Sequence, residues 1–155
     1  MAVAASTFTL QIIETITLDG VRRGGRTNTV ETSVGEVSKR TMQVTHDTNG
    51  TSIMKFGDDV LTGTYDKDTF KYLRITNLDA DDSLILQLVE AGGTHYSEFL
   101  LAPNKSFILN SLITDDQADI DNAVMSGGSE HYIDEIIGKS TGSAVVEIEY
   151  LVVNT

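Results

Sequence analysis

Residues 72–88 read YLRITNLDADDSLILQL. Two apolar runs with period-two alternation flank a cluster of Asn77, Asp79, Asp81 and Asp82, and that alternation is the signature of strands. If the two strands pair directly, Leu73 and Ile75 meet the Leu84, Leu86 and Leu88 face across a tight turn. The stretch then reads as a β-hairpin with its acids at a sandwich rim. The acids raise a second reading, a calcium loop. Counted as an EF-hand, Asp79, Asp81, Ser83 and Glu90 fall at positions 1, 3, 5 and 12. The glycine needed at position 6 for the sharp turn is Leu84, already committed to a strand. A second match from Asp119 through Asp121 to Glu130 fails in the same way, with Val124 at that position. Asp79, Asp81 and Asp82 are left as candidates for a looser surface calcium site. The competing reading is a turn whose Asx side chains cap the backbone.

Outward from this stretch the alternation continues. In TFTLQIIETITL (7–18), Phe8, Leu10, Ile12, Ile16 and Leu18 fall on one side and threonines on the other, predicting one long strand with a buried face. In AVVEIEYLVV (144–153), Val146, Ile148, Tyr150 and Val152 point inward, with Glu147 and Glu149 outward. Asn49-Gly50, between MQVTH and SIMKF, predicts a type I′ hairpin. Pro103, the single proline, marks a corner between two strands. One short helix is expected near 114–126. Thr114-Asp115-Asp116-Gln117 forms a capping box, Ile120, Ala123 and Val124 an apolar stripe, and Gly127-Gly128 a stop. The expected fold is all-β: an antiparallel, jelly-roll-like sandwich of about ten strands, in a single domain spanning 1–155.

A chain of 155 residues can bury roughly 70% of its unfolded surface, so no staple is required. There is no cysteine, which excludes disulfides and thiolate metal sites. The net charge is −12, unevenly spread: residues 1–57 hold six Lys/Arg against five Asp/Glu, and residues 58–155 five against eighteen. Such an acidic surface disfavours nucleic acid. MAVAAS has no basic segment before an apolar run, and no stretch is apolar enough to span a membrane. The expectation is a soluble protein made in the cytoplasm, with no membrane partner.

Catalytic motifs are poorly supported. Gly138-Lys139-Ser140-Thr141-Gly142 fits G-x-S-x-G, but a nucleophile elbow needs a following helix and a downstream His, and no His follows Ser140. The same Gly-Lys-Ser lacks the P-loop glycine five positions earlier, where Ile133 stands. These residues read as a hairpin loop. His46, His95 and His131 lie on separate predicted strands or strand ends, and on a strand His131 and Asp134 face opposite ways. No catalytic residue, cofactor or metal is assigned. The loop GVRRGGRTN gathers Arg22, Arg23 and Arg26, three of the eleven basic residues. It reads either as a mobile solvated loop or as an arm reaching acidic surface on a neighbouring subunit.

Residues 70–109 resemble small all-β virion proteins of tailed bacteriophages, marine ones in particular. The shared pattern is a Y-[LI]-R-[IV]-T-N strand, an Asp-rich turn, an apolar strand, then FLLAPNKSFIL with its proline corner. VSKRTMQV and VVEIEYLV fit as well. The resemblance implies a non-enzymatic, jelly-roll-like virion protein of the capsid decoration or cement type. Made in the host bacterial cytoplasm, it would act as a homo-oligomer, with a trimer as the guess, on the major capsid protein or other virion proteins. The alternatives are a small tail or neck component, or a carbohydrate-binding or adhesion module.

Overall fold

Alternating Thr, Val and Ile leave a backbone that can satisfy its N–H and C=O groups only by lateral pairing. The computed structural model describes residues 6–57, 64–90, 96–110 and 133–155. The helix expected near 114–126, His95, His131 and the second calcium-loop match lie outside these described residues. Thirteen strands occur among them, more than the ten expected: β1 (Ser6–Ile13), β2 (Ile16–Leu18), β3 (Val21–Gly24), β4 (Thr27–Val34), β5 (Glu36–Val44), β6 (Thr51–Gly57), β7 (Thr64–Asp66), β8 (Phe70–Asn77), β9 (Leu84–Glu90), β10 (Tyr96–Leu101), β11 (Ser106–Asn110), β12 (Ile133–Ser140) and β13 (Val146–Asn154).

Nine of these strands form two sheets. One has the order β10-β9-β12-β6-β7 and the other β11-β8-β13-β5. Every pair is antiparallel except β6 with β7. The sheets pack face to face as a β-sandwich. Val44, Leu73, Ile75, Val146, Ile148 and Val152 from one meet Phe56, Leu84, Leu86 and Ile136 from the other, all 1% exposed or less. Each buried aliphatic side chain contributes about 1.5–3 kcal/mol, so this shared layer is the main source of stability. Phe56 and Phe70 meet edge to face across it, with centroids 5.4 Å apart at 86°.

The expected inward set on the last strand, Val146, Ile148, Tyr150 and Val152, is the one observed. Pro103 does mark a corner: β10 and β11 on either side of it belong to different sheets. Lys105 N donates to Ala102 O at 3.2 Å, and Asn104 has φ 58°. Three other turns differ from expectation. Residues 72–88 are not a hairpin, because β8 and β9 lie in opposite sheets. Leu73 and Ile75 face Leu84 and Leu86 across the core instead of pairing with them. Asn49-Gly50 is no type I′ hairpin either. β5 and β6 are in different sheets, and Gly50 alone of the two residues has positive φ. Residues 141–145 likewise carry the chain from β12 in one sheet to β13 in the other. Turn chemistry reverses the chain equally well within a sheet or between sheets, so the same residues signal both.

The N-terminal segment is the largest departure. It is not one long strand with a buried face but a hairpin arm outside both sheets. β1 pairs with β4 from Ser6↔Val34 to Ile13↔Thr27, Glu14 N donates to Arg26 O at 2.8 Å, and β2 pairs with β3 to the tip. Asp19 and Gly20, with φ 51° and 75°, make the type I′ turn there. Near its base the arm lies on the four-stranded sheet, where Phe8 stacks on buried Tyr72 at 5.0 Å. Burial raises the Tyr72 phenol pKa.

Candidate functional site

Three places gather side chains able to do something: the rim carrying the acidic cluster, the arm, and a groove along one side of the sandwich.

The rim is made by four inter-sheet connections, 45–50, 78–83, 102–105 and 141–145. They are stitched together by Ser140 N to Thr45 O at 3.1 Å, Thr141 N to Ser83 O at 2.9 Å, Asn77 N to Lys105 O at 3.0 Å and Leu78 N to Glu147 O at 2.9 Å. His46 Nδ1 donates to the Ser140 carbonyl at 2.9 Å. At the centre lies Asn77, fully buried. Its amide nitrogen donates to Asp82 O at 2.9 Å and Leu101 O at 3.2 Å, and its oxygen accepts from Asp79 N at 2.9 Å. Asp79 Oδ1 in turn accepts from Asp81 N at 2.8 Å and Asp82 N at 2.9 Å. Those two backbone donors, Asp82 first, hold the Asp79 carboxyl below its usual pKa. Asp79 therefore caps its own turn. The Asp82 carboxylate lies over Gly142, where an added Cβ would collide with it. The Asp79 and Asp82 carboxylates thus have separate roles, and no group of three or more His, Asp or Glu among the described residues is arranged to hold a metal.

The same rim explains the G-x-S-x-G match. Gly138 is a glycine because a Cβ there would come within 2.8 Å of Ile53 and 3.2 Å of Val44 in the core. Ser140 is fully buried, with its hydroxyl 3.4 Å from the Gly142 carbonyl. Its neighbours on both sides are strands, β12 and β13.

The arm carries Arg22, Arg23 and Arg26, exposed on or beside β3, so the structure brings these three candidates together. The segment GVRRGGRTN is half of a hairpin rather than a free loop. In β4 alternate residues are half-buried, but every residue of β2 and β3 is exposed, so the distal arm has no covered face. Leu18 pairs with Val21, and Ile16 lies two residues before Leu18, so the three share one side. Thr17 and its partner Arg22 share the other. Ile13, Ile16, Leu18 and Val21 are 52–63% exposed. From Glu14 to the tip the hairpin extends about 20 Å.

The groove, about 960 Å³, runs between the edge strand β5 and strands β6–β7. Met42, Ile53, Met54 and Tyr65 supply apolar lining, and Glu36 and Asp66 supply carboxylates. The Tyr65 hydroxyl donates to Ser38 Oγ at 3.0 Å, bridging the two sheets across it. Tyr150 beside it has its pKa pushed up to about 12, first by burial and then by the Tyr65 hydroxyl.

Comparison with protein-family models, curated proteins and solved structures finds no match to this chain.

The sequence reading included Asn77 in the cluster but missed its burial, the groove and the exposure of the arm. One signal was available: Asp19-Gly20 between TITL and VRR is the dipeptide that type I′ hairpins prefer. The groove has no local signal, because its walls come from segments far apart in the chain.

Proposed function

We propose that this protein is a non-enzymatic structural subunit of a bacteriophage particle. In this reading it is a capsid decoration or cement protein that stabilises the shell through contacts with its own copies and with the major capsid protein. We further read the sandwich as a jelly roll. Of the seven connections joining β5, β6 and β8 to β13, only the one from β9 to β10 stays within a sheet. That winding supports a double-sheet jelly roll, an architecture used by capsid domains, lectins and cupins alike. Fold alone selects none of these roles.

The observation that carries the proposal is the distal arm. Two strands projecting without a third are marginal in water, and this pair keeps its aliphatic side chains uncovered. Such an element suits an assembling subunit, whose neighbours can cover it. The phage particle is chosen as the context on the resemblance read in the sequence of residues 70–109.

The test is antibody labelling of virions from a lysate in which this chain is made, joined to sedimentation of purified chain with the emptied shells. Saturable binding at a fixed number of copies per shell is expected. A purified chain that stays monomeric and ignores both shells and tails would overturn the reading.

A further inference from the structure

We infer that the distal arm of one copy seats in the β5–β7 groove of a second copy of this chain. This deepens the assembly role proposed above by naming the two surfaces that meet.

Three observations converge on that occupant. The first is charge. Residues 1–34 carry three Arg against three acids, whereas residues 35–155 carry eight Lys/Arg against twenty Asp/Glu. Between residues 15 and 26 the balance is Arg22, Arg23 and Arg26 against Asp19 alone. A cationic tip on an otherwise acidic protein is attracted to the body of another copy. The second is the groove's own chemistry. Its cations are engaged, Lys55 Nζ lying 3.7 Å from Glu135 and Arg40 bonding the Tyr150 hydroxyl. The carboxylates of Glu36 and Asp66 line the groove, and among the described residues neither forms an ion pair, Asp66 Oδ1 accepting only from Asp68 N at 2.9 Å. The third is an orphaned acceptor. The Asn154 amide oxygen is buried without a hydrogen-bond partner among the described residues, on a residue 7% exposed that lines the groove. A buried acceptor left unpaired costs free energy that a donor can recover, and a guanidinium offers donors only.

The shapes agree with the chemistry. The side of the hairpin bearing Ile16, Leu18 and Val21 can lie on Met42, Ile53, Met54 and Tyr65, while Arg23 and Arg26 reach Glu36, Asp66 and Asn154 and Arg22, paired with Thr17, faces away. The arm does not fill its own groove, since every residue of β2 and β3 is exposed. The donor surface differs from the receiving surface, so the contact is made reciprocally in a dimer or head to tail around a ring.

The experiment measures association and contact in the full chain. Light scattering should give a multimeric mass for wild type that falls as salt is raised, and a single-chain mass for the Leu18→Asp/Val21→Asp double variant with an unchanged circular dichroism spectrum. Asn154→Leu should weaken association about tenfold or more without lowering the melting temperature of the monomer. The chain has no cysteine, so a tagged Leu18→Cys copy mixed with an untagged Ser52→Cys copy should cross-link to a heterodimer with a short bismaleimide. A wild-type mass of one chain at every concentration overturns the inference. So does a double variant that keeps its oligomer, or cross-linking confined to Leu18→Cys with itself. A monomeric wild type that uses the arm to bind anionic vesicles or nucleic acid overturns it in favour of that ligand. Shell sedimentation separates the two proposals. Arm-dependent oligomers that ignore shells remove the decoration role alone, and shell binding by a monomer removes the arm–groove contact alone.

Discussion

Ile148 and Ile16 both sit in segments that alternate apolar with polar residues, yet Ile148 is fully buried and Ile16 is 56% exposed. The difference lies in what stands opposite. Ile148 on β13 has β5 and β8 beside it and a second sheet above it. Ile16 on β2 has only β3. Alternation records that a strand has one apolar side and is silent about what covers it. In the sandwich the cover is supplied by the same chain. On the arm it is missing, which is why the arm carries the assembly proposal.

If this contrast is right, substitutions in the two regions should separate stability from association. Phe56→Ala in the core should have the largest effect on folding, about 3–5 kcal/mol by urea denaturation, because it leaves a cavity against Phe70. Next comes Asn77→Asp. A carboxylate cannot donate to the Asp82 and Leu101 carbonyls and would place a buried charge against both, at about 3 kcal/mol or more. Gly138→Ala should cost about 1–3 kcal/mol by crowding Ile53 and Val44.

A smaller effect is expected from pH. The Asp79 carboxyl is held below its ordinary value by backbone donors, so its contribution is present above the unfolded pKa near 3.9 and is lost as pH falls through the folded value. Wild type should lose more stability than Asp79→Asn between pH 6 and pH 3, measured as the shift in urea midpoint. Equal shifts would remove Asp79 from the account of the rim. Leu18→Ser should be the mildest for the monomer, within about 0.5 kcal/mol of wild type. A large loss there would mean that the arm belongs to the folding core, and the contrast would fail.

The inward face of the last strand and the corner at Pro103 were legible because each follows from a local rule: period-two burial in one case, a fixed φ in the other. Which strands pair was not legible. Asn49-Gly50 and Asn77–Asp82 carry the residues of tight turns, and those residues serve a hairpin or an arch between sheets alike. Asn77 ended a Thr-Asn strand terminus that could as well have faced water. Its burial depends on Leu101, 24 residues away. The acids were placed correctly at a rim, with the caps expected of an Asx turn, although the turn joins two sheets. Arg22, Arg23 and Arg26 were recognisable as a cluster by composition. Their position on a hairpin depended on reading Asp19-Gly20 as its tip.

The most direct measurement is amide hydrogen exchange followed at increasing dilution of the full chain. The account predicts strong protection of β5, β8, β12 and β13 at every concentration. It predicts that amides between residues 12 and 28 are protected when the protein is concentrated and exchange rapidly when it is dilute. Protection of the arm that does not change with dilution would contradict the claim that a second copy supplies its missing cover.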